Sequence, residues 1–375
     1  MNASHLADAA ERWGTPLYVT DLDAAADRAA AWRRALPGAL IAFAVKANPD
    51  PALLRRLAAD GIGFEVVGPV ELALAQRAGA PPDRIVVNGA GQTDADLRAA
   101  LDGGALVNAE SIGALEDLFR HRGRIGLRIN PALDAHTHPH LATGAADSKF
   151  GIALDELPMA LDLARRGGRR LESVGAHIGS DVRQLEPFAE LARLLARVAG
   201  EAGVDRIDLG GGFAGSPDAY ADAVLPHLPD PSQLTVEPGR GIVADTGWLL
   251  TRVVRTQARG HLIADAGMTE LIRPMLYGAS HPVMLVAAGR SVGDRPWTLS
   301  GPVCEAGDIL AGAVRLGPDV GENALLAIGQ VGAYGLSMAS GYNGRLRPAQ
   351  AVVEGGELRL SRRRETLEDL LVRDV

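Results

Sequence analysis

Short apolar runs alternate with amphipathic segments along the first part of the chain. The runs cover residues 39–45, 63–67, 84–87, 105–107, 125–129, 171–177, 206–209 and 234–236. Helical periodicity fills several of the intervals, at residues 51–60, 69–78, 94–102, 111–121, 154–166 and 187–202. Strands that alternate with helices predict βαβ units and a parallel sheet. Eight strands suit a (β/α)8 TIM-like barrel of about 250 residues, and a doubly wound open sheet is the structural alternative.

The pattern changes after about residue 250, where helical periodicity fades. Short β-like runs follow, punctuated by glycine and proline, at residues 248–255, 262–264, 282–286, 297–300, 313–315, 324–328, 351–353 and 357–360. This pattern predicts an all-β second domain. We therefore expect a barrel over residues 15–247 and a C-terminal β domain over 248–375, with residues 1–14 packing on the β domain and a polar helical tail at 364–375.

Composition and charge narrow the class of protein. The chain has 375 residues, of which 47% are hydrophobic and 22% charged, and this excludes a disordered chain, a coiled coil and a collagen-like repeat. The net charge of −8 argues against a nucleic-acid partner. We see neither a signal peptide nor an apolar run of about 18 residues, so we expect no membrane association. The one cysteine, Cys304, excludes an intramolecular disulfide and fits the cytoplasm.

Lysine is scarce in this chain. Of 38 basic residues only Lys46 and Lys149 are lysines, which leaves 38 − 2 = 36 arginines. A lysine amine can lose its proton and attack a carbonyl carbon, whereas arginine stays protonated. Lys46 follows the apolar run 39–45, and active-site residues of barrel enzymes lie at such strand ends. We predict that Lys46 forms a Schiff base; its alternative is a lysine that reaches solvent, and Lys149 is as well explained by chance.

A glycine-rich loop follows the apolar run 206–209. Gly210, Gly211 and Gly212 are adjacent, so that their backbone N–H groups can converge on a phosphate. The spacing of Gly210, Gly212 and Gly215 also matches the dinucleotide fingerprint, but no clear helix follows it. A single phosphate group is the better interpretation, and a plain turn is the alternative.

Two more strand ends carry polar side chains. Glu237 follows the run 234–236, where a buried carboxylate could hold a proton on a ring nitrogen, or could simply pair with Arg240. His177 ends the run 171–177 and could stack on a ring or move a proton, although a lone histidine is more often structural.

The predicted β domain carries candidate substrate-binding residues. Arg273 and Tyr277 are four residues apart and suit the binding of a carboxylate. Cys304 stands beside Glu305 and is a candidate proton donor, while a buried small hydrophobe is the alternative for a single cysteine.

A histidine cluster at His136, His138 and His140 resembles a metal site. The intervening proline and the irregular setting indicate a loop, and we saw no cysteine or carboxylate that would complete the set. We therefore predict no metal.

A Schiff-base lysine, a phosphate cradle, a carboxylate for a pyridine nitrogen and a ring-stacking histidine are together what pyridoxal 5′-phosphate (PLP) needs. The chain resembles the fold-type III, alanine-racemase-like PLP-dependent decarboxylases, and within them the branch that acts on diaminopimelate. The resemblance spans nearly the whole chain. It rests on residues 15–18, 43–48, 128–131, 134–139, 148–151, 177–180, 209–212, 237–240, 265–268, 273–277, 301–305, 332–334 and 345–348.

The resemblance implies a role for each candidate residue. Lys46 would bind the cofactor covalently, His177 would stack on its ring and Glu237 would pair with its pyridine nitrogen. The phosphate ligands implied are Ser180, Gly211, Gly212 and Tyr334. The residues implied for the distal carboxylate of the substrate are Arg240, Arg273 and Tyr277. Cys304 would deliver a proton and Glu305 would recognise the distal amine, both in the site of a partner subunit within a homodimer.

The activity implied is the decarboxylation of meso-2,6-diaminopimelate to L-lysine and carbon dioxide. Three positions depart from the family pattern: Gly68 replaces a usual serine, Gln92 a usual lysine and Asp181 a common glutamine. A decarboxylase of a siderophore or antibiotic pathway, acting on a conjugated or carrier-bound amino acid, is therefore the alternative. A non-catalytic PLP carrier and a racemase are disfavoured, since Cys304, Glu305 and Glu237 point to proton delivery and a cationic ring.

Overall fold

Eighteen strands and twelve α-helices are present in the parts of the chain that the computed structural model describes, residues 1–133, 143–145, 147–286, 296–317 and 320–374. The strands are β1 (Leu17–Asp21), β2 (Leu40–Ala44), β3 (Gly63–Val66), β4 (Ile85–Val87), β5 (Leu106–Ala109), β6 (Arg124–Asn130), β7 (Ile152–Ala153), β8 (Ser173–Gly175), β9 (Arg206–Asp208), β10 (Leu234–Val236), β11 (Gly247–Gln257), β12 (His261–Ala264), β13 (Val283–Leu285), β14 (Pro296–Ser300), β15 (Ile309–Arg315), β16 (Leu325–Gly329), β17 (Ala349–Glu354) and β18 (Glu357–Arg362). The helices are α1 (Ala3–Trp13), α2 (Leu22–Ala35), α3 (Pro51–Ala59), α4 (Pro69–Arg77), α5 (Asp94–Asp102), α6 (Ile112–Phe119), α7 (Leu157–Arg166), α8 (Glu186–Ala202), α9 (Pro217–Val224), α10 (Arg240–Val243), α11 (Arg273–Tyr277) and α12 (Leu367–Leu371). In the described ranges, no helix combines the length and the apolar character needed to span a bilayer.

Eight parallel strands close into a barrel in the first structural unit, Ala26–Ile242. Their order is β5-β4-β3-β2-β10-β9-β8-β6, and β5 also pairs with β6, so the sheet has no open edge around the ring. The short strand β7 pairs with the end of β6. The closed ring confirms the predicted (β/α)8 barrel over the open-sheet alternative, and each of the eight predicted runs overlaps one of its strands.

Local capping explains where several barrel helices begin. The Asp50 carboxylate accepts hydrogen bonds from the first turn of α3, and the Ser111 hydroxyl accepts one from Ala114 in α6. Thr93 and Asp96 form a capping box at the start of α5. These side chains satisfy N–H groups that have no partner within the helix. These caps therefore fix where α3, α5 and α6 begin, at Pro51, Asp94 and Ile112.

The interior of the barrel contains polar groups as well as hydrophobic ones. The Phe43 and Phe64 rings meet edge to face with centroids 6.5 Å apart. Among the described residues, ten buried polar side chains come from the barrel strands or directly follow them: Glu65, Asn88, Asn108, Glu110, Arg128, Asn130, Ser173, Asp208, Thr235 and Glu237. Burial of polar groups costs free energy unless they are hydrogen-bonded, so this concentration marks a place where packing alone does not explain the sequence.

The second unit comprises Met1–Ala25 and Val243–Val375 and contains a nine-stranded sheet. Strand β1 lies in this sheet, antiparallel to β11 and parallel to β17. The sequence analysis assigned residues 15–25 to the barrel, because a five-residue apolar strand carries no signal of which sheet it joins. Helix α1 buries Leu6, Ala9 and Ala10 in the same apolar cluster as Leu17 and Val19 of β1.

Candidate active site

Lys46 lies in a single 3-10 turn, Val45–Ala47, directly after β2. Its ammonium forms a salt bridge with Oε2 of Glu65 on the neighbouring strand β3. The Lys46 side chain is 35% exposed, whereas that of Glu65 is 2% exposed. The barrel therefore holds the amine at its carboxyl-terminal end, reachable from outside, against a carboxylate that is sealed in the interior.

Asn88 connects Glu65 to Glu237. Its Nδ2 donates to Oε1 of Glu237 at 2.7 Å and to Oε1 of Glu65 at 3.3 Å. Its own carbonyl accepts a hydrogen bond of 2.9 Å from Nδ2 of Asn108. One amide group thus lies between two carboxyl groups, one on β3 and the other directly after β10.

Glu237 and Asp208 form a pair of buried carboxyl groups that share a hydrogen bond. Burial, together with the charges of Asp208 and Glu65, raises the pKa of Glu237 well above its usual value. Burial also raises the pKa of Asp208, to about 6, while the Gly210 N–H at 2.8 Å lowers it. A proton held by this pair therefore favours Glu237 over Asp208. A cation beside Glu237 would shift this balance and favour its ionised form.

The His177 imidazole is neutral and held in one tautomer. Burial, and the cations Arg128 and Lys46, keep its pKa well below the usual value. Its Nδ1 accepts a hydrogen bond of 3.1 Å from the Gly211 N–H. Because Nδ1 acts as the acceptor, the ring proton of the neutral imidazole resides on Nε2.

The glycine-rich loop fits only glycine at several positions. A Cβ atom on Gly212 would lie 1.8 Å from the carbonyl oxygen of Gly179, and one on Gly211 would lie 2.1 Å from that of Glu237. Gly210 and Gly212 also adopt positive φ angles of 63° and 96°. The loops that follow β8, β9 and β10 therefore meet backbone to backbone, which forms a cradle with no room for side chains.

The four predicted cofactor elements of the barrel lie together. Lys46 contacts Glu65, and Glu65 shares the Asn88 amide with Glu237. Gly211 lies against the Glu237 carbonyl and donates to His177. The covalent lysine, the ring-nitrogen carboxyl, the glycine cradle and the stacking histidine thus form one connected group that fits PLP.

In the second unit, Arg273 lies between two aromatic rings. Its guanidinium carbon is 5.3 Å from the ring centroid of Tyr277 and 6.0 Å from that of Tyr334. Arg273 is 4% exposed, which is unusual for an arginine. The structure therefore brings the predicted substrate residues Arg273 and Tyr277 together with the predicted phosphate ligand Tyr334. Arg240 belongs to the barrel unit, where it begins α10 three residues after Glu237.

Cys304 and Glu305 are exposed on a loop of the second unit. Asp308 anchors this loop, because its carboxylate accepts hydrogen bonds from Val303 N at 2.8 Å and Met268 N at 2.6 Å. The backbone N–H of Cys304 donates to Oδ1 of Asn343 at 2.9 Å. The thiol is thus free, accessible and carried by an anchored backbone.

The three departures from the family pattern take different positions. Gly68 is the residue before α4 and supplies no side-chain cap, and a Cβ there would meet nothing within 4 Å. Gln92 donates from Nε2 to the Asn88 carbonyl at 2.9 Å. Asp181 is exposed and adopts a positive φ of 63°. Only Gln92 directly contacts the polar network of the barrel, and it does so through the backbone.

The histidines 136, 138 and 140 lie outside the described residues. Among the residues that are described, no group of three or more histidine, cysteine, aspartate or glutamate side chains is arranged to bind a metal ion.

Sequence reasoning did not single out Glu65, Asn88, Asp208 or Asp308 as site residues. The first three share a signal that was available: each is a polar residue in or directly after an apolar strand. The signal of Asp308 was its position four residues after Cys304 in a glycine-containing loop.

Comparison with known proteins identifies the family. Residues 22–244 match the family model described as pyridoxal-dependent decarboxylase, pyridoxal binding domain. The chain is 43% identical to diaminopimelate decarboxylase of Deinococcus radiodurans, over 99% of this chain and 98% of that protein. The corresponding enzyme of Pseudomonas aeruginosa is 41% identical, over 96% and 93%.

A solved structure supports the same assignment over both units. The crystal structure of diaminopimelate decarboxylase from Helicobacter pylori complexed with L-lysine matches with a TM-score of 0.93 and 32% identity, and the match covers 98% of each chain. The chain belongs to the PLP-dependent decarboxylases of fold-type III, in the diaminopimelate decarboxylase family.

Proposed function

We propose that this chain is a PLP-dependent carboxy-lyase that converts meso-2,6-diaminopimelate to L-lysine and carbon dioxide. The observation that carries this proposal is the connected group of Lys46, Glu65, Asn88, Glu237, Gly211 and His177 in one barrel. The relatives named above carry the same activity in their names, and the Helicobacter pylori enzyme was solved with L-lysine, which is the product expected here.

Seven residues would hold PLP. Lys46 would bind it covalently, Glu237 would face its ring nitrogen and His177 would lie against its ring. Its phosphate would be held by Ser180, Gly211, Gly212 and Tyr334. When bound, PLP supplies an electron sink that accepts the electron pair left behind as the substrate carboxylate departs as carbon dioxide.

Glu65 prepares Lys46 for its role. A lysine attacks a carbonyl only after its ammonium has lost a proton. Oε2 of Glu65 already contacts Nζ, so it is placed to accept that proton and to return it when the amine is released.

Glu237 and His177 are suited to a cationic ring. The negative charges of Asp208 and Glu65 raise the pKa of Glu237, and the same charges favour a cation beside it, such as a protonated ring nitrogen. The neutral His177 adds no positive charge that would oppose a protonated ring. Both features favour a ring that carries its own proton.

We assign substrate recognition to the residues that the family resemblance implies. Arg240, Arg273 and Tyr277 bind the distal carboxylate, and Glu305 binds the distal ammonium. The Cys304 thiol gives its proton to Cα after carbon dioxide has left. The exposure of Cys304 and Glu305 in the single chain supports a role for both in the site of a second copy, within a homodimer. A free, exposed thiol also supports a cytoplasmic setting.

The alternative substrate is a conjugated or carrier-bound amino acid. The exposed Asp181, next to the phosphate ligand Ser180, favours this alternative, since a carboxylate replaces the amide that the family commonly has there.

The test is carbon dioxide release from the purified, PLP-loaded protein. The substrates are meso-diaminopimelate, L-lysine, L-ornithine, L-arginine, L-glutamate and 2,3-diaminopropionate, each supplied separately. We expect release from meso-diaminopimelate alone, with L-lysine as the product. No release from any free amino acid, with a bound-cofactor absorbance that disappears in Lys46→Ala, would instead favour the conjugated substrate.

A further inference from the structure

A chain of hydrogen bonds with one direction crosses the barrel interior. Oγ of Ser173 donates to Oδ1 of Asn108 at 3.2 Å, and Nδ2 of Asn108 donates to Oδ1 of Asn88 at 2.9 Å. Nδ2 of Asn88 then donates to both Glu237 and Glu65. All five side chains are at most 6% exposed. This series of hydrogen bonds therefore begins at a hydroxyl in β8 and ends at two carboxyl groups.

The chemistry of the donors fixes this direction. The Asn88 amide nitrogen has two hydrogens, and each is directed at one carboxyl group. Asn108 keeps the Asn88 carbonyl turned away from those groups by donating to it, and Ser173 fixes Asn108 in the same way. A flipped Asn88 would place its carbonyl oxygen against the two carboxylate oxygens and its NH2 group against that of Asn108. The order of donors described above is therefore the one that satisfies ionised carboxyl groups.

The barrel backbone makes room for the start of this chain. A Cβ atom on Gly126 would lie 2.1 Å from Oγ of Ser173 and 2.2 Å from Oδ1 of Asn108. Gly126 lies in β6, between the strands that carry these two residues. Any other residue at this position would displace the Ser173 and Asn108 side chains, so the glycine is an independent sign that the fold accommodates the chain.

The two carboxyl groups at its end serve different atoms in the proposed function. Glu65 contacts the Lys46 amine, and Glu237 would face the ring nitrogen. Glu65 forms a salt bridge with the Lys46 ammonium, and Glu237 would be ionised beside a protonated ring nitrogen, yet two buried anions this close repel one another. A single N–H donor to each lowers that cost.

We propose that Asn88 is a positioning residue that allows Glu65 and Glu237 to be ionised together, and that Asn108 and Ser173 fix its orientation. This inference rests on the proposed function, because it takes Glu237 as the partner of the ring nitrogen. Asn88 itself does not touch the reacting atoms; it acts through the two carboxyl groups.

The test compares PLP-loaded variants by absorbance rather than by turnover alone. Asn88→Asp keeps the shape of the side chain but replaces both N–H donors by a third carboxyl oxygen. We expect the pH at which the bound cofactor changes its absorbance to shift by about one unit or more, and the affinity for PLP to fall about tenfold or more. Ser173→Ala removes only the far end of the chain, so a smaller shift in the same direction is expected even if Asn88→Asp folds poorly.

Asn130→Asp is the matched control. Asn130 is also a buried asparagine of the barrel, at the end of β6, but its side chain bonds to the backbone of Ala145 and Ala132 at 3.0 and 2.9 Å. This variant introduces a comparable buried carboxyl group that is not part of the Ser173–Asn108–Asn88 hydrogen bonds. It should therefore lower the melting temperature without moving the absorbance transition.

The inference is overturned if Asn88→Asp and Ser173→Ala lower the melting temperature as the control does, while the absorbance transition and PLP affinity stay those of the wild type. Failure of the proposed function has a separate signature. In that case the wild type itself binds PLP but releases no carbon dioxide from meso-diaminopimelate, and the absorbance comparison still decides the role of Asn88.

Discussion

The N–H of Gly211 donates to Nδ1 of His177 at 3.1 Å, and this contact sets the tautomer of the histidine. A glycine in the loop after β9 thereby controls the side chain that follows β8. The predicted phosphate ligand Gly211 uses its N–H for the imidazole, so its second role is to orient the ring.

The first prediction concerns the pH dependence of this histidine. The pKa of His177 is lowered in the folded protein, so below about pH 6.5 the unfolded chain takes up a proton that the native imidazole resists. His177 therefore lowers the free energy of unfolding as the pH falls. We expect His177→Gln to lose less stability than the wild type between pH 7 and 5.5, as followed by chemical denaturation of the cofactor-free protein. Equal losses in the two proteins would show that the His177 pKa is not depressed.

Nuclear magnetic resonance checks the tautomer directly. In the cofactor-free wild type at pH 7, the ring nitrogens of His177 should give the signals of a protonated Nε2 and an unprotonated Nδ1. A signal from the opposite tautomer would contradict the Gly211 contact.

The second prediction concerns the carboxyl pair. The pKa values of Asp208 and Glu237 are raised, so the native protein keeps protons that the unfolded chain loses above about pH 4. Stability contributed by Asp208 therefore falls as the pH rises through about 6, and Glu237 contributes in the same direction. Glu237→Gln keeps an oxygen for Asn88 and removes the acid. We expect the cofactor-free variant to be more stable than the wild type at pH 8, by about 1 kcal/mol or more, in thermal unfolding.

The same variant should bind PLP but lose most of its activity, since glutamine cannot stabilise a protonated ring nitrogen as a carboxylate does. Asp208→Asn is the companion variant. If Glu237→Gln is instead less stable than the wild type at pH 8, the shared proton between the two acids is the wrong description.

The third prediction concerns the glycine cradle. Gly212→Ala would place a methyl group 1.8 Å from the carbonyl oxygen of Gly179 on a backbone with a φ of 96°. We expect a loss of about 3 kcal/mol or more in the free energy of unfolding, and loss of PLP binding, by chemical denaturation and absorbance. Gly200→Ala is the control, because Gly200 lies in α8 and a methyl group there meets nothing within 4 Å. That variant should be stabilised by about 0.5–1 kcal/mol.

The fourth prediction separates the two lysines. Lys46→Ala should abolish the covalent absorbance of bound PLP, whereas Lys149→Ala should keep it. Loss of the Lys46 ammonium also leaves the Glu65 carboxylate buried without its cation, and we expect this to cost about 2 kcal/mol of stability. The double variant Lys46→Ala with Glu65→Gln should recover part of that loss. Retention of the covalent absorbance in Lys46→Ala would assign the Schiff base to another residue.

The fifth prediction addresses the shared site. Lys46→Ala and Cys304→Ala are each expected to be nearly inactive. If the two residues act in one site from different copies, mixed dimers contain one intact site, and co-refolding the two variants in equal amounts should restore about a quarter of wild-type activity. No recovery, with mixed dimers demonstrated by tag pull-down, would place both residues in the site of the same copy.

The barrel was predictable because its strands are buried on both sides, so each appears as an uninterrupted apolar run. Strand β1 was not assigned to its sheet, because Leu17–Asp21 pairs with residues hundreds of positions later in the sequence. The local residue pattern contains no signal of such distant pairing. Lys46 was predictable from the scarcity of lysine and its position at a strand end. Asn88 was not, because its importance comes from two acids that are distant in sequence and meet it only in the closed barrel.

Strand β1 also affects how the chain is completed during synthesis. Leu17 pairs with Leu250 and with Ala349, so the first strand made is a central strand of a sheet whose other members are translated last. The barrel, Ala26–Ile242, is contiguous and lies between them in the sequence. On the ribosome the barrel can therefore fold while β1 waits with both of its hydrogen-bonding edges unpaired. That interval, rather than any step in the finished protein, is when this chain is most exposed to pairing with the wrong strand.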